Sequence, residues 1–206
     1  MKKWIGLAVG AVMAGVLTAG ATPETDAAAA QKAMEAMMKA MAGSGAGAPA
    51  AALVDFRMLK TLLPETLAGM KRTSASGEKN GAAGMFVAEA TGEYSGENGA
   101  SLSLKITDMG GLGGLGAMAQ AGWAMQEIDK ETDNGYERTF DQKGFKAKES
   151  YDKLNKSGEV QSWVASRFLV EIKGNGVKDG DLRKALDGVD LARLSTLKPA
   201  GAGAAK

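Results

Sequence analysis

Polar and apolar residues alternate most cleanly along Ser101-Leu102-Ser103-Leu104-Lys105-Ile106-Thr107-Asp108, which places Leu102, Leu104 and Ile106 on one face of a strand. A weaker alternation runs from Met85 to Tyr94. Between the two, Gly96-Glu97-Asn98-Gly99 is a turn sequence, so the pair reads as an antiparallel hairpin with one solvated side. Further on, Tyr136 to Phe140 and Phe145 to Tyr151 flank Asp141-Gln142-Lys143-Gly144, while Glu159 to Val164 and Phe168 to Ile172 flank Ala165-Ser166. With Asn155-Lys156-Ser157-Gly158 joining the two pairs, the spacing predicts a four-stranded meander in which Val160 and Val164 oppose Phe168, Val170 and Ile172.

Helical spacing brackets these strands. Leu53 to Leu63 suits a short helix that Pro64 ends, because proline disfavours helical geometry at the residue before it. From Asp179 onward, Leu182, Ala185, Leu186 and Val189 recur at helical intervals and suit docking on the sheet, each large aliphatic side chain contributing roughly 1.5–3 kcal/mol on burial. The predicted class is α+β: an antiparallel sheet, hairpin plus four-stranded meander, packed by a Gly/Ala-rich middle helix and a C-terminal helix.

The N-terminus has a different pattern. Lys2 and Lys3 precede an uncharged run from Trp4 to Gly20 and a small-residue exit at Ala19-Gly20-Ala21, the layout of a signal peptide over residues 1–21. The competing reading is a retained anchor, and Gly6, Gly10, Gly15 and Gly20 dilute its apolarity. Position 21 is Ala21, so a lipid-accepting cysteine is missing there. Residues 22–52 form an Ala/Met/Gly-rich stretch: a helix over Asp26 to Ala42, then a flexible tether. Met34, Met37, Met38 and Met41 lie along one stripe of that helix; thioethers suit cuprous copper, but an adaptable packing face is the preferred reading. Residues 53–198 are expected to form one domain, and 199–206 a disordered Ala/Gly-rich tail.

Composition removes whole classes of chemistry. The chain has no cysteine and no histidine, which excludes disulfides, thiolate nucleophiles, thiolate metal sites and any histidine-based triad within it. Lys and Arg number 25 against 24 Asp and Glu, and loss of Lys2 and Lys3 leaves a formal charge of −1. The signs are interspersed, so nucleic acid is not an expected partner, and no membrane span is expected after signal cleavage.

The uncharged segment Met109 to Gln126 holds the candidate functional surface. Gly111, Gly113 and Gly116 satisfy G-x-G-x-x-G, with Glu131 or Asp133 at the distance of a ribose-binding acid. The preceding strand, however, alternates like a half-exposed antiparallel one, against a dinucleotide fold. The preferred reading is a helix from about Leu115 packing on the sheet with Leu115, Met118 and Trp123 inward. The functional alternative is an apolar contact surface of Leu112, Leu115, Met118 and Trp123. Asp129, Glu131 and Asp133 depart from a calcium loop because the glycine is one place late and Phe140 replaces the closing acid. Ser150 and Lys153 have S-x-x-K spacing but fall at a strand end. No catalytic, cofactor-binding or metal-binding residue is assigned.

Leu63-Pro64-Glu65, Ser101 to Asp108, Gly135-Tyr136-Glu137-Arg138-Thr139, Arg167-Phe168 before Leu169-Val170-Glu171, and Val189-Asp190-Leu191 resemble a group of small exported bacterial proteins, often lipoprotein-like, without an assigned function. In element order alone the chain is similar to Mog1/PsbP/DcrB-like α/β/α sandwiches, a similarity that transfers no activity. The expected role is a non-catalytic, exported, periplasmic binding or structural module with an envelope protein as partner. The alternative is a carrier of an apolar small molecule or lipid. Oligomeric state is left open.

Overall fold

The computed structural model describes residues 50–82 and 85–199. The expected signal segment, the helix over Asp26 to Ala42 with its methionine stripe, and positions 200–206 of the tail lie outside the described residues.

The first element, α1 (Phe56–Lys60), is shorter than the apolar pattern predicts. Asp55 caps it by accepting the Arg57 N–H at 2.8 Å, and the chain turns from Thr61 into Pro64. Strands β1 (Thr66–Leu67), β2 (Met70–Ala82), β3 (Met85–Ser95) and β4 (Ser101–Asp108) follow. After a tight 3-10 turn at Gly110–Leu112 comes α2 (Gly114–Ala124). Strands β5 (Asp129–Thr132), β6 (Gly135–Gln142), β7 (Phe145–Asp152), β8 (Ser157–Val164) and β9 (Phe168–Asn175) lead to α3 (Asp181–Asp187) and α4 (Leu191–Ser195).

The nine strands of the described residues form one antiparallel sheet in the order β1-β2-β3-β4-β9-β8-β7-β6-β5. The expected hairpin is β3–β4 and the expected meander is β6–β9. They are joined because β4 pairs with β9 along its whole length, from Ser101 opposite Asn175 to Asp108 opposite Phe168. Strands β1, β2 and β5 are additions to the predicted set. The acidic stretch Asp129 to Asp133, which departs from a calcium loop, is β5 and its turn into β6.

Pairing aligns side chains across the sheet in rows. Ala90, Ile106, Val170, Ser162 and Ala147 form one row, and Gly92, Leu104, Ile172, Val160 and Glu149 the next, all on the same inner face. Leu104, Ile106, Val160, Val170 and Ile172 are fully enclosed. Leu182, Ala185 and Leu186 of α3 and Leu191 and Leu194 of α4 close over this face, as the C-terminal periodicity predicts. Gly188 and Val189 break that helix in two, and Asp190 starts the second part by accepting the Arg193 N–H at 2.9 Å. Gly158 permits the contact, because a Cβ there would lie 2.8 Å from Leu182 Cδ1 and 2.3 Å from the Ser150 oxygen.

The inner face also holds charge. Asp108 and Glu149 are fully buried, and each is matched by arginine. The opposite face is largely polar, with Glu89, Ser103, Lys105, Glu171, Gln161 and Lys148 half-buried, but its end carries buried Thr107 and Trp163.

Candidate functional site

The Gly-rich segment folds as a 3-10 turn and a helix, not as a phosphate-binding loop. Its preceding strand β4 is antiparallel to both neighbours, which removes the parallel βαβ frame a dinucleotide site requires. Gly111 is required by contact: a Cβ there would stand 2.1 Å from the Phe86 backbone oxygen and 3.1 Å from Leu53 Cδ2. The turn therefore sits against the start of β3.

Of the inward packing expected of Leu115, Met118 and Trp123, the structure corrects Met118. The buried positions of α2 are Gly114 and Gly116; Leu112, Leu115 and Trp123 are half-buried, and Met118 is 47% exposed. Gly116 packs on the preceding turn, where a Cβ would stand 3.0 Å from the Met109 backbone oxygen. Near the turn the sheet adds exposed Met85 and Phe86, and Met125 follows the helix at 85% exposure. The candidate contact residues thus belong to a partly apolar surface at one end of the domain. The Trp123 indole nitrogen is buried without an acceptor among the described residues.

Charged groups gather in three places. Asp108 accepts Arg167 Nε at 2.8 Å, Arg167 Nη2 at 2.7 Å, Val54 N–H at 2.8 Å and Gly110 N–H at 2.9 Å. Glu149 accepts Arg183 Nε at 2.8 Å and Arg138 Nη2 at 3.4 Å through one oxygen, while its other oxygen is buried without a partner among the described residues. The two guanidiniums lie over rings, Arg183 on Phe140 and Arg138 on Tyr136, each at 4.0 Å. Both clusters join separate elements.

The third cluster lies on the outer face. Gln161 donates to Glu159 and, at 3.2 Å, to Glu171, while Lys173 pairs with Glu171 at 2.9 Å. Burial and the neighbouring Glu171 charge push the Glu159 carboxyl above its ordinary range. Burial pushes Glu171 the same way, but Lys173 and Lys105 outweigh it and hold Glu171 low. A cleft of about 120 Å³ beside this cluster is lined by Glu137, Lys148, Ser150, Glu159 and Gln161. Lys153 instead pairs with Glu131 at 3.2 Å and faces a different cleft with Asp179 and Lys184, so the S-x-x-K pair is separated.

Three tyrosines fix the far end of the inner face. Tyr94 and Tyr151 donate to the Pro64 and Val177 carbonyls, and Tyr136 donates to Asp179 Oδ1 at 2.8 Å. Burial pushes the Tyr94 hydroxyl up to about 12, against the pull of Arg72. It raises Tyr151 and raises Tyr136 further, with the Asp179 bond adding to the Tyr136 shift.

Among the described residues no helix is long and apolar enough to cross a membrane. Comparison with protein-family models, curated proteins and solved structures returns no match.

Proposed function

We propose that this is a non-catalytic exported protein of the cell envelope, held near the envelope or free in the periplasm, whose α+β domain is a binding or structural module. Export rests on the residue pattern of positions 1–21. The observation that supports a module over a carrier is the enclosure of Leu104, Ile106 and Phe168, at most 1% exposed, under α3 and α4. An apolar pocket for a lipid would have to open between those side chains, and they are packed into one core. The buried carboxylates are engaged by arginines that tie elements together, a structural use of charge.

In this reading α2 packs across the outer face. It follows the end of β4, and Lys146 of β7 donates to the Ala124 oxygen at its last residue at 2.9 Å, which supports that placement. Its exposed rim, with Met118 and the half-buried Leu112, Leu115 and Trp123, is then a contact surface for an envelope protein.

Native mass spectrometry of the chain purified from the periplasm without detergent, compared with its denatured mass, tests the reading. The expected result is an unliganded mass beginning after residue 21. A stoichiometric small mass lost on denaturation would establish a carrier instead.

A further inference from the structure

The two edges of the sheet are built differently. At one edge, β5 is four residues, Asp129-Lys130-Glu131-Thr132, all exposed and three of them charged, a short and charged edge of the kind that resists further pairing. At the other edge, β1 pairs only with Met70 and Lys71 of β2, and the Arg72 N–H donates to the Glu65 oxygen at 2.9 Å. From Ser74 to Ala82 the strand pairs with β3 on one side, Ser74 opposite Glu93 through Ala82 opposite Met85, and no described residue pairs with it on the other. About half the backbone donors and acceptors of this stretch therefore face outward. Ser76, Glu78, Lys79, Asn80 and Gly81 are exposed, and the stretch contains no proline. Its only irregularity is the bulge between Arg72 and Ser74, where β1 ends.

Charge on this edge points to a particular occupant. Glu78 lies directly opposite Glu89 on the outer face, and like charges at directly opposed positions repel. Glu89 accepts the Thr107 hydroxyl at 3.3 Å, whereas Glu78 has no ion pair among the described residues. Neighbouring Lys79 belongs to the other face, with its ammonium 4.7 Å from the centre of the Phe86 ring. A second copy of the chain does not supply the missing cation. The outer-face positions along the open stretch are Ser74, Ser76, Glu78 and Asn80, so edge-to-edge pairing would bring two Glu78–Glu89 pairs together.

We propose that the open edge of β2 takes an extended segment of another protein as an added strand, held by main-chain hydrogen bonds and carrying Lys or Arg on the outer face across from Glu78. This assignment rests on the reading of the domain as a binding module and names the chemistry of its partner.

Two short strand-forming peptides of alternating threonine and valine, one with a central lysine and one with a central glutamate, test it against the intact purified chain. The lysine peptide is expected to bind about fivefold or more tightly than the glutamate peptide. Amides between Ser74 and Gly81 should gain hydrogen-exchange protection, and Glu78→Lys, checked for folding by circular dichroism, should reverse the preference. Absence of binding, equal binding of both peptides, protection at the β5 edge, or concentration-dependent dimerisation through β2 would overturn the assignment. Native mass spectrometry keeps the two failures apart: a bound small molecule removes the module reading, whereas an unliganded mass with no peptide binding removes only the edge.

Discussion

Arg167 holds the fully buried carboxylate of Asp108 with two parallel bonds, Nε to Oδ1 at 2.8 Å and Nη2 to Oδ2 at 2.7 Å. Asp108 ends β4 and Arg167 sits in the connection between β8 and β9, so the pair locks the central strands together at one end. Arg167 Nη2 also reaches the Ala52 oxygen at 2.6 Å, and Asp108 also accepts the Val54 N–H. The chain entering α1 is thereby fixed to the same point.

Removing one partner of such a pair leaves a buried charge unmatched. Arg167→Ala is expected to destabilise the domain by about 3–5 kcal/mol in urea unfolding, and the double variant with Asp108→Ala should cost clearly less than the sum of the two singles. A loss under about 1 kcal/mol for Arg167→Ala would show that the carboxylate is not held as described.

The two arginines on Glu149 should not contribute equally. Arg183 stands at 2.8 Å and ties α3 to the sheet, whereas Arg138 stands at 3.4 Å within the sheet. Arg183→Ala is expected to cost on the order of 2 kcal/mol and Arg138→Ala about half of that, both discounted for partly exposed guanidiniums. Equal losses, or the reverse order, would contradict the assignment of Arg183 as the main partner.

Stability should also depend on pH through the outer-face carboxylates. Glu159 is raised above its ordinary value of 4.5, so the folded chain binds that proton more tightly than the unfolded chain. Its contribution becomes unfavourable as pH rises through the folded value, and the penalty is absent below 4.5. Glu171 behaves oppositely: its lowered value makes it stabilising above 4.5, and that stability is lost as pH falls through the folded value. Glu159→Gln is therefore expected to stabilise the domain at neutral pH and to give no gain in acid. A gain that grows on acidification would contradict this sign.

Tyrosine ionisation gives a direct optical check. The chain has three tyrosines, all raised above the ordinary value of 10.0, with Tyr94 at about 12. In the native protein little phenolate absorbance should develop at pH 10, and unfolding in denaturant at that pH should release it. Because the raised groups ionise more readily in the unfolded chain, stability should fall as pH rises above 10.0. A tyrosine half-ionised at pH 10 in the native state would place one ring outside the bonds described.

Much of the sheet was legible because its central strands have one dry face. Leu102, Leu104 and Ile106 on β4 and Phe168, Val170 and Ile172 on β9 alternate with polar residues, and those positions are buried. Strand β2 was missed because an edge strand needs little apolar alternation: the side chains it turns to the inner face include Ala75, Gly77 and Lys79. Its one local cue, Asn80-Gly81, lies within the strand next to the hairpin end. Glu149 was hidden for a different reason. It occupies an inner position between Ala147 and Tyr151, and its partner Arg183 is 34 residues away. The inward orientation expected of Met118 was not legible: on α2 the buried positions are Gly114 and Gly116, while Met118 is exposed.

The most direct test of an open edge along β2 is amide hydrogen exchange on the intact chain, resolved by residue. Amides in β4 and β9 should be slowest, and between Ser74 and Gly81 slow amides bonded to β3 should alternate with fast ones facing outward. Uniform protection along β2 would show that its edge is covered and would contradict the account; alternating protection would establish the open edge that the partner strand requires.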